Sequence, residues 1–121
     1  ANLIRAPEPR NPEGKVEVSK KSQKVTAGYD SLGLCVFTRT VYNSRLDQLA
    51  EMVALATGEK VEADFVEKLG AWTINTERKF NRRAGFTHAH DRLPDYMHEE
   101  SLPDVGDVFD VSYDEIDAMF D

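Results

Sequence analysis

Residues 62–85 read EADFVEKLGAWTINTERKFNRRAG, and the class of the whole chain turns on that run. Phe65, Leu69, Trp72 and Phe80 fall on one side of a 3.6-residue repeat, with none of the two-residue alternation of a half-buried strand. Gly85 follows as a C-terminal stop. The spacing predicts a helix over 63–83, with Trp72 and Phe80 in the core. Just upstream, SRLDQLAEMVALATGEK (residues 44–60) repeats Leu46, Leu49, Ala50, Val53 and Ala56 at the same period, which predicts a helix over 46–56 ended by Gly58. Two adjacent apolar stripes are buried most simply against each other, so these helices are expected to pack antiparallel.

Further toward the N-terminus, KVEVSKKSQKVTAGY (residues 15–29) is read as a helix with Val18, Ser22 and Val25 as its weak apolar stripe. Gly28 is read as its stop. Asp30 or Ser31 would then cap the free N–H groups of a following helix that carries Leu34, Phe37 and Val41. Pro7, Pro9 and Pro12 make residues 1–13 an extended arm or linker. Beyond Gly85, residues 86–112 hold two Leu-Pro steps and no sustained period, so they are expected to wrap the surface irregularly, with Asp91 helping to fix the loop. Ser112 and Glu115 then form an S-x-x-E capping box for a terminal helix that turns Tyr113, Ile116, Met119 and Phe120 inward. The expected architecture is all-α: a small helical domain over 14–121 with a long irregular C-terminal wrap.

Charge removes whole classes of ligand. Fifteen Lys and Arg against 22 Asp and Glu leave a net charge of −7, so the chain repels phosphate backbones and anionic membrane surfaces. Nucleic acid is not an expected partner. No apolar run approaches the ~20 residues of a membrane helix, and no basic-then-apolar leader opens the chain. One cysteine cannot form an intrachain disulfide, which fits a reducing, cytoplasmic setting.

That cysteine is Cys35, in DSLGLC (residues 30–35). Its position alone leaves two readings open: a small buried hydrophobe, or a thiolate ligand or nucleophile favoured by the N–H groups of a helix start. No second cysteine supplies a zinc pattern. His88 and His90 form an H-x-H pair that would share one face of a strand, with His98 the remaining imidazole; the solvated-loop reading is preferred to a metal site. Arg78, Arg82 and Arg83 offer either a basic spot for an anion or a protein surface, or partners for nearby acids, and the second is the expected use.

DSLGLCVFT, followed downstream by INTERKFNRRAGFTHAHDRLPDYMHEESLPD, resembles the C-terminal domain of tungsten-containing aldehyde ferredoxin oxidoreductases. The resemblance rests on a D-x-x-G-L-C turn and on a second motif at Asn75, Glu77, Arg78, Phe80, Asn81, Arg83, Gly85, Phe86, Asp91, Leu93 and Pro94. It runs from about Gly14 to the last residue and covers only the final portion of a family enzyme. It implies an enzyme that oxidises aldehydes to carboxylic acids on a tungsten (or molybdenum) bis-pterin, with electrons leaving through a [4Fe-4S] cluster to ferredoxin. Carried over by residue, Cys35 is the fourth cluster ligand, and Asp30 and Leu34 meet one pterin through the carboxylate and main-chain polar groups. Gly33 leaves room for the flat cofactor.

The C-x-x-C-x-x-x-C run, the second pterin-binding turn and the family's catalytic glutamate and histidine are absent from this sequence, so residue 1 is read as the start of a fragment and Asp121 need not be a natural end. Isolated residues 1–121 are accordingly expected to carry no cofactor, to be inactive, and to dimerise through a patch around Leu32, Leu34 and Phe37. The remaining domains of the same enzyme are the expected partners. A helical interaction module that kept the fold without cofactor chemistry is the alternative, suggested by the polar SKKSQK face.

Overall fold

The structure, a computed structural model, describes residues 10–119. Its helices are α1 (Lys15–Ser31), α2 (Arg39–Tyr42), α3 (Leu46–Thr57), α4 (Phe65–Arg83), α5 (Tyr96–Glu99) and α6 (Tyr113–Ala118), with short 3-10 turns at Val36–Thr38 and His88–Asp91. No strand occurs among the described residues, so the all-α class holds. Residues 1–9 of the expected arm, and Phe120, lie outside the described residues.

Helices α1 and α4 form the framework, and two glycines decide how they meet. Gly28 and Gly70 are both buried where the helices cross. A methyl group built on Gly70 would run into the Lys24 carbonyl, and one on Gly28 into the Val66 carbonyl. The helices therefore touch backbone to backbone. Gly28, expected as a stop, is instead an interior contact, and α1 continues to Ser31 before Gly33 turns the chain.

This contact fixes the rotation of α4. Val66 and Gly70 face α1, and Trp72, two positions beyond Gly70 and roughly 200° round the helix, is carried to the opposite side. Trp72 is 66% exposed and Phe80 72%, which overturns their expected place in the core. Phe65 and Leu69, from the same sequence stripe, are only half-buried. The expected pairing of α3 with α4 is corrected for the same reason: the main partner of α4 is α1, and its contact with α3 is minor.

The core is small. Val25 and Tyr29 of α1, Leu49 of α3 and Val66 of α4 form its buried centre, with Leu32, Leu34, Tyr42 and Leu46 packed around it. Gly58 ends α3 in the left-handed conformation, its N–H donating to the Ala54 carbonyl, as expected.

The chain beyond Gly85 is held by ion pairs. Arg78 of α4 donates both terminal nitrogens to the Asp91 carboxylate at 3.3 and 3.1 Å. Arg92 grips Asp117 of α6 in the same two-pronged way at 2.6 and 3.0 Å and lies 4.6 Å from the Tyr113 ring centre. The capping box of α6 forms as read: the Glu115 N–H donates to Ser112 Oγ, and the Ser112 N–H donates to the Glu115 carboxylate. Ile116 is buried, and the helix docks on α1, where Lys20 Nζ donates to the Ala118 carbonyl at 2.6 Å. Gln23 Nε2 reaches Met119 Sδ at 3.3 Å. The polar SKKSQK face thus receives the terminal helix.

Gly70→Ala is expected to cost about 3 kcal/mol or more, because its methyl meets backbone that cannot yield. Gly58→Ala, whose methyl meets open space, should cost only the left-handed strain of about 1–2 kcal/mol. Urea unfolding followed by circular dichroism separates the two, and equal costs would contradict the close crossing. The Arg92 hydrogen bonds also hold the Asp117 carboxyl below its ordinary value of 3.8, with the Arg92 and His88 charges adding to the effect. The stability from this pair is therefore complete above the ordinary value and lost as pH falls through the lowered one. Arg92→Gln should raise the Asp117 titration and loosen α6 already at neutral pH, with a weaker dependence on pH, read from the Ile116 methyl resonance.

Candidate functional site

The DSLGLC turn is built by the way α1 ends. Every helix leaves its last carbonyls without internal partners, and a left-handed residue just past the end lets following N–H groups turn back to them. Gly33 adopts φ 68°, the Leu34 N–H donates to the Tyr29 carbonyl at 3.0 Å and the Gly33 N–H to the Asp30 carbonyl at 3.0 Å. This is a Schellman motif, and its usual hydrophobic contact is present because Leu34 packs against the cluster that contains Tyr29. Phe86 and Gly85 close α4 in the same way, donating to Asn81 and Arg82.

The chain then extends at Cys35 (φ −67°, ψ 134°) before the first 3-10 turn. Thr38 pins this point from two directions, its N–H and its hydroxyl both donating to the Cys35 carbonyl at 2.9 and 2.7 Å. The thiol is exposed. The helix expected to start at Asp30 or Ser31 does not form there: both residues belong to the last turn of α1, and the next elements are one 3-10 turn and the four-residue α2. Leu34 turns to the core, whereas Phe37 is 85% and Val41 54% exposed. Among the described residues no long helix starts at Cys35. Local donors remain, since the N–H groups of Cys35, Val36 and Phe37 bond to no other group among the described residues, as is usual at a helical start.

Asp30, Gly33, Leu34 and Cys35 therefore share one rigid turn, with Leu34 as its anchor and the other three on the surface. A methyl group on Gly33 would meet nothing within 4 Å, so the backbone there is open to a flat group. Asp30 also lines a groove of about 570 Å³ between α1 and α4, with Thr26, Ser31, Thr73 and Glu77. Glu77 belongs to the second motif without a site role there, and Thr73 does not stand out in the sequence. Their signal is the Gly70–Thr73–Glu77 spacing, which sets all three on the face that meets α1 once Gly70 is recognised as the contact.

The histidines do not converge. His88 and His90 lie on a 3-10 turn rather than a strand. His90 Nδ1 accepts the Thr87 N–H at 3.0 Å, while His88 Nδ1 lies 3.3 Å from Asp117. His98 packs edge-on against Phe109 and Tyr113. Among the described residues no group of three His, Cys, Asp or Glu side chains is placed to hold a metal ion. No helix among them is long and apolar enough to cross a membrane. Arg78 is committed to Asp91, the internal use expected of it.

One polar atom at the base of the turn stands apart. The Tyr29 hydroxyl is buried with no hydrogen-bond partner among the described residues, and burial raises its pKa, with Arg39 partly opposing the rise. An unsatisfied buried hydroxyl contributes nothing to stability and carries a desolvation penalty. Tyr29→Phe should leave the melting temperature unchanged or raise it, by up to about 1 kcal/mol in stability. A clear loss would show that the hydroxyl has a partner in solution.

Comparison with known proteins gives a family match. The family described as "Aldehyde ferredoxin oxidoreductase, domains 2 & 3" matches residues 2–121. A tungsten-containing aldehyde ferredoxin oxidoreductase of Pyrococcus horikoshii is 34% identical over 91 residues, which are 74% of this chain and 15% of that protein. The Pyrococcus furiosus protein of the same name is 32% identical over 93 residues, 76% of this chain and 15% of its own length. That of Thermococcus kodakarensis is 33% identical over 91 residues, again 15% of its length. The chain thus spans about 15% of the length of the curated relatives it matches. No solved structure matches it.

Proposed function

The chain belongs to the aldehyde ferredoxin oxidoreductase family, and from that premise we propose that it is the cofactor- and cluster-binding C-terminal part of a tungsten (molybdopterin-type) enzyme. The reaction would be oxidation of an aldehyde to a carboxylic acid, with electrons passed through a [4Fe-4S] cluster to ferredoxin. One observation carries the reading: a carboxylate, an open glycine backbone and an exposed thiol stand within six residues on a turn that two hydrogen bonds and a core leucine hold rigid. Rigidity matters because a site built on fixed elements keeps its donors in place without reorganising when a ligand arrives.

Each residue has work suited to its chemistry. The Asp30 carboxylate has two oxygens that accept paired N–H groups such as those of an amino-pyrimidine ring. Gly33 admits a flat ring against the backbone, and Leu34 holds the turn from beneath while its main chain offers polar groups. Cys35, as thiolate, is an iron ligand, and the N–H groups of Cys35, Val36 and Phe37 are the local donors able to stabilise charge on its sulfur. Val36, Phe37 and Val41 are exposed on the segment that follows it and offer apolar surface for a covering domain. When bound, the tungsten bis-pterin supplies the two-electron oxidation of the aldehyde and the cluster a one-electron exit path.

The donor set fits a shared site. One thiol is a quarter of the usual ligand set of a [4Fe-4S] cluster, so the other three thiolates must come from elsewhere in the enzyme. The remaining domains of the same enzyme are the partners this reading needs, and the exposed side chains of Phe37, Leu55, Trp72 and Phe80 supply apolar surface for them. A lone exposed thiol that must stay reduced also favours the cytoplasm. The interaction-module alternative rests on the polar SKKSQK face, two residues of which, Lys20 and Gln23, have an internal use in receiving α6.

In the complete enzyme, Cys35→Ser is expected to lower iron content and abolish or alter the reduced-cluster EPR signal while the melting temperature of the protein portion changes little. Serine keeps the size but offers a hard oxygen in place of thiolate. An unchanged iron content with an unchanged signal would rule the ligand role out.

A further inference from the structure

We propose that Thr73 is a positioning residue for the DSLGLC turn: a hydroxyl on α4 that holds the end of α1, and with it Asp30 and Cys35, in register with the rest of the site. The proposal rests on the reading of Asp30 and Cys35 as cofactor and cluster contacts given above.

The glycine crossing secures α1 at Lys24 and Gly28. Beyond it, Tyr29 of the last turn is in the core, but Asp30 and Ser31 on the outer side of that turn are exposed and have no core side chain to hold them. Final helical turns open readily when nothing outside the helix secures them. Here Ser31 Oγ and Thr73 Oγ1 lie 3.0 Å apart and join the two helices one residue from Asp30. Ser31 Oγ is also 2.7 Å from the Ala27 carbonyl, and Thr73 Oγ1 is 3.0 Å from the Leu69 carbonyl.

Each hydroxyl has one proton and two lone pairs. The two carbonyl bonds draw on both protons, so the cross-helix pair shares one of them, and either hydroxyl can be its donor. Ser31 is the last residue of α1, immediately before the C-cap Leu32 and the left-handed Gly33. Movement of Ser31 would carry the Asp30 carboxylate and the two closing bonds of the turn with it.

Thr73→Val keeps the branched shape and removes the hydroxyl, and Thr73→Ser keeps the hydroxyl. The first measurement is amide hydrogen exchange on residues 1–121. In Thr73→Val, exchange at Gly33 and Leu34 should rise about fivefold, the effect of one lost neutral hydrogen bond on local opening. Exchange at Val25 and Val66 should stay the same, and Thr73→Ser should restore the turn. In the complete enzyme, Thr73→Val should also shift the reduced-cluster EPR spectrum, with Thr73→Ser returning it. Unchanged exchange at Gly33 and Leu34, an equal rise across all of α1, or an unmoved spectrum would each overturn the positioning role. Failure of the functional reading has a different signature: Cys35→Ser keeps its iron while the exchange effect of Thr73→Val persists. That outcome also removes the role toward the cofactor and leaves only a tie between helices.

Discussion

Everything in this molecule is hung on the backbone contact of α1 with α4. Two glycines without side chains allow the helices to approach until carbonyls occupy the space a methyl would need. Dispersion contacts fall off steeply with distance, so a crossing this close gains attraction along both backbones although few large side chains are buried there. It also permits only one rotation of each helix. That rotation puts Val25, Tyr29 and Val66 inside, sends Trp72 outside, and aims the end of α1 so that the following turn projects from the surface.

The sequence makes some parts of this plain and conceals others. The terminal capping box, the stop at Gly58, the stop at Gly85 and the span of α4 can all be read because each depends on residues within a few positions of one another. Gly28 misleads because a glycine that stops a helix and one that lets another helix approach look alike in a single sequence; only the partner distinguishes them. Once the wrong face of α4 is taken as the buried one, Trp72 and Phe80 follow it into an imagined core. The site divides along the same line. Asp30, Gly33, Leu34 and Cys35 are contiguous, so their grouping survives a wrong account of the helix around them. Thr73 and Glu77 reach the groove beside Asp30 through tertiary packing, which their spacing from Gly70 shows only once that glycine is recognised as the contact.

A small core follows from this design. Only six hydrophobic residues are buried among the described ones, while aromatic and aliphatic side chains on α3, α4 and the segment after Cys35 remain exposed. Short chains bury a limited fraction of their surface in any case. Here the exposed apolar groups lie on helices whose opposite faces are already used, so they are surface left over from packing rather than failures of it. The fold holds its turn rigidly with little material and keeps broad apolar faces for contact.

The docking of α6 carries a consequence for the order of assembly. Lys20 and Ala118 meet across 98 residues of sequence, so this contact closes nearly the whole described chain into a loop. Closure entropy grows only slowly with loop length, by about 0.6 kcal/mol per doubling, but it must be met before the contact returns anything. The α1–α4 crossing needs nothing beyond Arg83 and shortens that loop when it forms. On a ribosome the crossing and the DSLGLC turn would be complete while the last helix was still unmade, and α6 would settle afterwards onto a surface already in place.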